Sequence, residues 1–557
     1  MSTERLIYIP LGGAGEVGMN AYVYGYGPPG KERLILVDLG VSFPDMDTTP
    51  GVGLIMPDVA WLAERVDRLE AIFITHAHED HVGALALLWD RLRVPVHARN
   101  FTARIARMKM QEHGLDPEEV QTAPAYPRRI AAGPFSVGFV PVSHSLPEAS
   151  ALVIDTPAGL ILHSGDFKLD PHPVVGEPWN PAAFEEIARA NVKVLTCDST
   201  NVFSPQPGRS EASLAPSIGE LIQQAPGAVA ATTFASNVAR VKTLAEAGRA
   251  SGRSICLLGR AMQRMVKTAE DAGLLPDFPP VITPEEAAQL PRGELMMIVT
   301  GSQGERRAAS AQLAQGKYMG LRLKSGDLFL FSSKTIPGNE RGVLRIINQL
   351  SEMEVDVVDA EDGKYHVSGH ANRPDLETIH DLVKPQMTLP MHGEHRHLRE
   401  HARIAIESGV ASLVAPNGTV VDVTGDAPRI VDEIPAGRSY LDGSVLIGAR
   451  DGVVRDRIRM ALNGLVVVSL LIEEDGTLLG EPWAETMGLP EAGRSGGLLI
   501  DRIEVELNGF CETAGRKVLM DDDRLEDGLR RVARQVAMEE IGRKPELRVI
   551  ISRMEAG

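Results

Sequence analysis

The 557-residue sequence predicts an α/β protein in three parts: a sheet-rich domain, a second α/β module inserted into it, and a small α+β domain at the end. Three observations predict this. Residues 1–207 carry short apolar runs of strand length with few helical stretches. From 208 to 358 helical periodicity alternates with short apolar runs, and no histidine occurs until His366. The last hundred or so residues read as strand, strand, charged helix, strand. The first domain is therefore expected to close over 359–430, with a linker at 431–454 and the final domain at 455–557.

In chain order, the strands expected in the first domain are Leu6–Leu11, Leu34–Asp38, Ala71–Thr75, Phe135–Val142, Ala151–Asp155, Leu160–His163 and Val194–Cys197. Each is a run of β-branched or large apolar residues ending at a turn residue or a polar side chain. In the inserted module the runs Ala228–Thr233, Ser254–Leu258, Leu295–Val299 and Asp327–Phe331 are spaced by helical stretches, as in a parallel sheet with flanking helices. In the final domain, Leu462–Ile472 and Leu547–Ile551 supply strands and Asp523–Ile541 the helix. These runs suit a sheet covered on one side only.

Hydrophobic residues make up 43% of the chain, enough for large cores. Cys197, Cys256 and Cys511 are too few for a disulfide framework. No N-terminal signal segment is seen, and runs such as Gly464–Val468 are far too short to span a bilayer. A cytoplasmic protein with no membrane partner is expected. The net charge of −18 disfavours general adhesion to polyanions, but residues 207–350 hold 17 Lys and Arg against 12 Asp and Glu. A basic module within an acidic chain can still hold a nucleic acid.

The richest stretch is Thr75-His76-Ala77-His78-Glu79-Asp80-His81, between the apolar run Ala71–Ile74 and the helix-like run Val82–Leu88. His76 and His78 alternate out of an extended segment and can face one point. Asp80 and His81, at the helix entry, can face a second. Imidazole and carboxylate are the ligands of zinc, manganese and iron. Further polar residues end predicted strands: Asp38, His144, Asp166, Asp198 and His392. Open α/β sheets gather chemistry at strand ends. A carboxylate such as Asp166 can bridge two cations.

Taken in order, Asp38, the His76–His81 motif, His144 and Asp166 resemble the four signature elements of the metallo-β-lactamase superfamily. Asp198, His370 within His366-Val367-Ser368-Gly369-His370, and His392 resemble three further elements of its nucleic-acid-processing β-CASP branch. Within that branch the whole chain is similar to the bacterial ribonuclease J family, including Gly12–Asn20 and Thr300–Glu305. The resemblance implies a four-layer αββα domain with an inserted β-CASP domain. It implies two divalent metal ions, zinc or manganese, one held by His76, His78, His144 and Asp166 and the other by Asp80, His81, Asp166 and His392. Asp38 would orient a ligand, and Asp80, Asp198 and His370 would take part in the chemistry. His366, Val367, Ser368, Gly369 and His370 would bind substrate phosphate, the small residues letting backbone N–H groups come close, and Phe43 could stack a base. The implied activity is hydrolysis of single-stranded RNA in maturation and decay, 5′-to-3′ exonucleolytic on 5′-monophosphorylated ends, with endonuclease action also allowed. Implied partners are a second copy of the chain through the final domain, and other proteins of RNA decay. Arg260, Arg264, Arg306, Arg307 and Lys334 are the candidates to meet RNA phosphates in a cleft between the two upstream domains.

Three other patterns point elsewhere. Gly13-Ala14-Gly15-Glu16-Val17-Gly18 is a literal dinucleotide fingerprint with Asp38 twenty residues on, yet Met19–Tyr26 reads as a strand rather than the required helix. His397-Leu398-Arg399-Glu400-His401 matches a metalloprotease pattern but reads as a solvated helix face. Asp45, Asp47 and Asp442 are candidate ligands of a structural calcium, with a plain surface turn as the alternative. Two rival functions remain at this stage: a hydrolase of small esters or lactones from the same superfamily, and a non-catalytic RNA-binding subunit.

Overall fold

The structure is a computed structural model and describes residues 4–336, 338–359 and 363–555. It divides into two units, Met1–Ser42 with Ile55–Arg438, and Phe43–Leu54 with Ser439–Gly557.

The first unit is built on two large sheets. The eight-stranded sheet runs, edge to edge, Arg429–Glu433, Thr419–Asp422, Arg5–Gly12, Ala21–Gly27, Arg33–Val37, Leu69–Ile74, Val96–Ala98 and Val120–Thr122. The seven-stranded sheet runs Ala411–Ser412, Met387–Met391, Val192–Asp198, Gly159–His163, Ser150–Thr156, Phe135–Pro141 and Ile130–Ala132. Their inner faces share one core, with Tyr8, Tyr24, Ile35 and Phe73 from the first sheet and Phe139, Leu152, Ile161 and Leu389 from the second. Helix Asn100–Glu112 packs outside the first sheet, and Pro181–Arg189 and His395–Glu407 outside the second. This is the expected four-layer αββα arrangement, with the chain's C-terminal return completing both sheets. All seven strands expected here are present, with ends shifted by up to two residues. The short strands Val96–Ala98, Val120–Thr122 and Ile130–Ala132 were not foreseen, because three residues leave no periodicity to read.

Between those segments lies an all-parallel five-stranded sheet in the order Ser254–Leu258, Leu295–Val299, Val229–Thr232, Leu328–Phe331 and Asp356–Val358. The first four are the four apolar runs of the sequence. The fifth, with the partly exposed pattern of an edge, is only three residues long and opens on Asp356 before its two valines.

The second unit holds a three-stranded sheet with Leu465–Glu473 in the middle, antiparallel to Trp483–Met487 and parallel to Glu546–Met554. Val466, Val468, Leu470 and Ile472 are buried in a core with Ile503, Leu507, Leu525 and Leu529 of helices Leu499–Thr513 and Asp522–Ile541. On the alternating positions Leu471, Trp483, Met487, Ile550 and Met554 are about half exposed or more. Two expectations need correction here. The 431–454 stretch is not a bare linker, since Arg438–Asp442 and Val445–Gly448 pair as an antiparallel hairpin. Residues Val453–Asn463 form a helix, so the strand begins at Leu465 rather than Leu462. Helix Leu499–Thr513 was also missed, although Leu499, Ile503, Leu507 and Cys511 recur every four residues and are buried.

Candidate metal centre

The site forms where strand ends of the two sheets meet. The His76–His81 loop is fixed by backbone pairing: Leu39 N–H donates to the His81 carbonyl (2.7 Å), Val41 to Glu79 (2.9 Å) and Asn20 to Asp80 (2.9 Å). This zipper brings backbones so close that a Cβ on Gly40 would lie 1.7 Å from the Asp80 oxygen, so only glycine fits there. The helix-like run Val82–Leu88 is two short helices, Glu79–Val82 and Leu85–Leu88, rather than one.

Each imidazole is held by its outer nitrogen and turned inward by it. Buried Asp38 accepts hydrogen bonds from Thr75 N–H (2.7 Å) and from His81 Nδ1 (2.7 Å). His144 Nδ1 donates to the Gly369 carbonyl at 2.7 Å. A carbonyl can only accept, so Nε2 of His144 carries the lone pair; His81, raised against its burial by Asp166, Asp80 and Asp38, turns its Nε2 to Asp166 Oδ2 at 3.2 Å. His78 Nε2 meets Ser145 Oγ at 3.1 Å, and His76 Nδ1 meets Thr75 Oγ1 at 3.0 Å. The inner nitrogens converge: His78 Nδ1 is 3.1 Å from both His76 Nε2 and His144 Nε2.

Three groups of ligand-type atoms lie within 4.8 Å of one another: His76, His78, His144 and Asp166; Asp80, His81, Asp166 and His392; and Asp166, Asp198, His370 and His392. Asp166 belongs to all three. Its carboxylate is 1% exposed and is ringed by imidazoles: His81 Nε2 is 3.2 Å from Oδ2, and nitrogens of His76, His392, His370 and His144 stand at 3.6 to 3.9 Å. A desolvated carboxylate is costly unless positive charge offsets it. The titration pattern points the same way. Burial alone would raise Asp166, but His392, His81 and His370 outweigh it and hold the carboxyl well below its usual range. Against its own burial, His392 is pushed up to about 10 by Asp166 and by hydrogen bonds to Asp198 and Asp80. His78 is instead pushed down to about 4, chiefly by burial. The cluster thus pairs neutral imidazoles on one side with carboxylates that demand positive charge on the other. These residues fit divalent cations.

His370 Nδ1 lies 2.8 Å from Asp198 Oδ2, which raises the imidazole above its ordinary range despite burial. The His366–His370 loop is anchored by a residue that no motif singles out. Fully buried Arg240 donates to the carbonyls of Tyr365 and Val367 (both 3.3 Å) and pairs with Glu211. Ser368 Oγ accepts from Asn201 Nδ2 (2.7 Å) and from His370 N–H (3.2 Å). Gly369 has a second reason besides backbone approach to a phosphate: a Cβ there would stand 2.8 Å from the His144 ring, so the imidazole itself requires glycine. Tyr22, also missed, receives the His392 N–H at 3.2 Å and donates to Asn20 (2.7 Å).

Other expectations fare unevenly. His401 is not on a solvated face: it is fully buried, 2.9 Å from Ser199 Oγ and 3.0 Å from His380. One side of helix His395–Glu407 packs on the sheet, and residue 401 falls on that side with Leu398 and Ala405. Asp442 pairs with Arg457 at 2.7 Å, and Asp45 accepts from the backbone of Asp47 and Thr48, the contacts expected of the surface-turn alternative. Phe43 belongs to the second unit and is 67% exposed. Arg264 pairs with Glu112, while Arg260, Arg306, Arg307 and Lys334 are exposed, and the Lys334 charge helps depress His366. In place of the dinucleotide helix stands strand Ala21–Gly27.

Fold and site together define a metallo-β-lactamase-type hydrolase with a parallel α/β insertion between Asp198 and His370. Comparison with known families agrees: residues 14–193 match the metallo-beta-lactamase superfamily, 226–350 the ribonuclease J beta-CASP domain, 358–415 the Zn-dependent metallo-hydrolase RNA specificity domain, and 452–554 the ribonuclease J C-terminal domain. The chain is 39% identical to ribonuclease J of Sinorhizobium meliloti over 99% of its own length and 98% of that protein's. It is 34% identical to ribonuclease J of Mycolicibacterium smegmatis, covering 96% and 95% of the two chains. A solved structure of a protein of unknown function from Enterococcus faecalis shares the fold, with a TM-score of 0.53 at 19% identity, covering 75% of this chain and all of that one. The chain belongs to the ribonuclease J family.

Proposed function

We propose that the chain hydrolyses RNA phosphodiesters with the help of two divalent cations, zinc or manganese, working 5′-to-3′ from 5′-monophosphorylated ends and also cutting internally. The observation that carries this is the buried Asp166 carboxylate, ringed by imidazoles and shared by the two four-residue ligand groups that follow. His76, His78, His144 and Asp166 would hold one cation, and Asp80, His81, Asp166 and His392 the other. Bound there, such cations supply hydroxide at neutral pH and offset charge on the phosphate.

The chain's own residues do the rest. Asp38 fixes His81, and the Gly369 carbonyl fixes His144, so their inner nitrogens need no reorganisation during turnover. Asp198 keeps the proton on His370, whose ring is the most open of the group and can donate to phosphate or to the departing oxygen. Ser368 accepts two hydrogen bonds, which leaves its own hydroxyl hydrogen free to point at a phosphate oxygen. Asp80 serves both as ligand and in positioning the attacking group. A small-ester hydrolase would need none of the Ser368–His370 machinery, and a decayed binding subunit would not keep both ligand groups intact.

We further assign self-association to the open face of the three-stranded sheet in the second unit. The deciding experiment offers one RNA with a 5′-monophosphate, triphosphate or hydroxyl end to the metal-loaded protein and resolves the products. Mononucleotides released fastest from the monophosphate support the reading. Cleavage indifferent to the 5′ end removes the exonuclease assignment, and no cleavage of any RNA removes the whole reading.

A further inference from the structure

Five residues beyond Asp198 the chain exposes an aromatic ring. Phe203 is 50% exposed, one of only two phenylalanines that stand out among the exposed large apolar side chains. Its neighbour Val202 is fully buried. The segment carrying it is fixed from both sides. Val202 N–H donates to the Ser199 carbonyl (3.2 Å), Ser204 to Asn201 (2.9 Å), and Arg373 N–H to Ser204 (3.1 Å). Asn201 reaches across to Ser368 Oγ at 2.7 Å, tying the same turn to the loop proposed to hold phosphate. Phe203 is therefore presented by a held loop joined to the site.

The ring has two companions on helix His395–Glu407. The His397 ring lies 5.3 Å away, centroid to centroid, at an interplanar angle of 57°. The Arg396 guanidinium stands 5.5 Å from the Phe203 centroid, within cation–π range. His397 is itself fixed, because it packs so near Gly393 that a Cβ there would be 2.9 Å from its own. One turn on, Arg399 is exposed and has no ion pair among the described residues. The surroundings are not simply basic: Glu394 pairs with Arg396 (3.1 Å), and Glu400 with Arg373 and Arg403. The feature that stands out is the half-open ring, oriented by a histidine and an arginine, rather than a charge track.

Exposing an aromatic ring on a rigid loop forgoes its burial, and a nucleobase is a flat partner able to restore it. We propose that Phe203, flanked by Arg396 and His397, is a stacking subsite for one nucleobase of a single-stranded RNA whose phosphate is engaged at the neighbouring metal centre. This rests on the ribonuclease reading above. It adds a contact to a base face, which tolerates any sequence and fixes the strand's position.

The test is an abasic scan. First-cut kcat/KM is measured with the metal-loaded enzyme on short RNAs carrying one abasic site at successive positions, for wild type and for Phe203→Ala, Phe203→Leu and Phe203→Trp. In wild type, one position is expected to lose about 5- to 100-fold when the base is removed. Phe203→Ala and Phe203→Leu should show the same loss on intact RNA and no further loss at that position. Phe203→Trp should behave as wild type. Leucine keeps the apolar bulk, so a leucine variant that retains the position's sensitivity overturns stacking. Additive effects of substitution and base removal at every position also overturn the inference, even if RNA is cleaved normally. So does an effect confined to inhibition by free mononucleotide. If wild type cleaves no RNA, it is the underlying functional reading that fails.

Discussion

Asp166 concentrates the argument at the scale of single residues. Replacing it with Asn removes the charge that His392, His81 and His370 answer, while keeping its size. Asp166→Asn is expected to lower bound metal, by elemental analysis of purified protein, and to cut RNA hydrolysis by at least about 100-fold, with circular dichroism unchanged. Normal metal content would remove the bridging role. A second prediction concerns the buried pair His380 and His401. Burial pushes His401 down to about 3 and His380 to about 4. A histidine whose folded pKa lies below its unfolded value of about 6.5 stays neutral in the fold while the unfolded chain takes up a proton. Its contribution is complete above pH 6.5 and is lost as the pH falls towards the folded value. Between pH 7 and 4 this amounts to roughly 3 kcal/mol for His401. Urea midpoints of wild type should fall more steeply over that range than those of His401→Gln. Parallel curves would mean that the site is open to protons. His401 also marks a limit of reading sequence. Spacing placed it beside His397 on a helix but could not say which side faces the sheet. Arg240 marks another: its partners at Glu211, Tyr365 and Val367 are distant in sequence, and a lone arginine gives no local sign of burial.

At the scale of elements, the metal motif was legible because it is local. Directly behind a strand, the seven residues Thr75–His81 hold an alternating pair of histidines and a helix entry, and every predicted ligand appears in the clusters described above. The long strands were legible for the same reason, since each is a continuous apolar run. What escaped were elements whose signal is weak or shared: the three-residue edge strands, the hairpin of the second unit, and helix Leu499–Thr513 behind a glycine-rich stretch. The loop Ser368–His370 was found by motif, but the second reason for its glycine emerged only from the His144 ring. That gives an element-scale prediction. Gly369→Ala should force the loop or the imidazole aside, costing about 1–3 kcal/mol where the strain cannot relax. Activity should fall at least tenfold, with global stability changed little more than that. An alanine variant with full activity would show that the loop has room the structure denies it.

The whole molecule poses the question of assembly. The three-stranded sheet buries one face under two helices and leaves Leu471, Trp483, Met487, Ile550 and Met554 at least about half exposed on the other. Isolated exposed apolar residues are ordinary, but five on one small sheet form a patch of the kind that marks an interface. A symmetric dimer needs one self-complementary patch per chain, and pairing this face with its copy would satisfy that condition. Among the described residues no helix is long and apolar enough to cross a membrane. The prediction is made with point changes rather than deletion, so that the core of the second unit stays intact. Leu471→Arg together with Ile550→Glu should halve the mass measured by light scattering, while far-UV circular dichroism, bound metal and the thermal midpoint of the metal-bearing unit remain as in wild type. Leu471 alternates with the buried Leu470 and Ile472, and Ile550 with the partly buried Val549 and Ile551, so the new charges point to solvent and should not disturb the core. If the doubly charged protein keeps its dimeric mass, the face is covered by something other than a second copy and the assignment falls. If the mass halves and RNA turnover falls with it, assembly supports activity; unchanged turnover in the monomer would separate the two and leave the first unit catalytically self-sufficient.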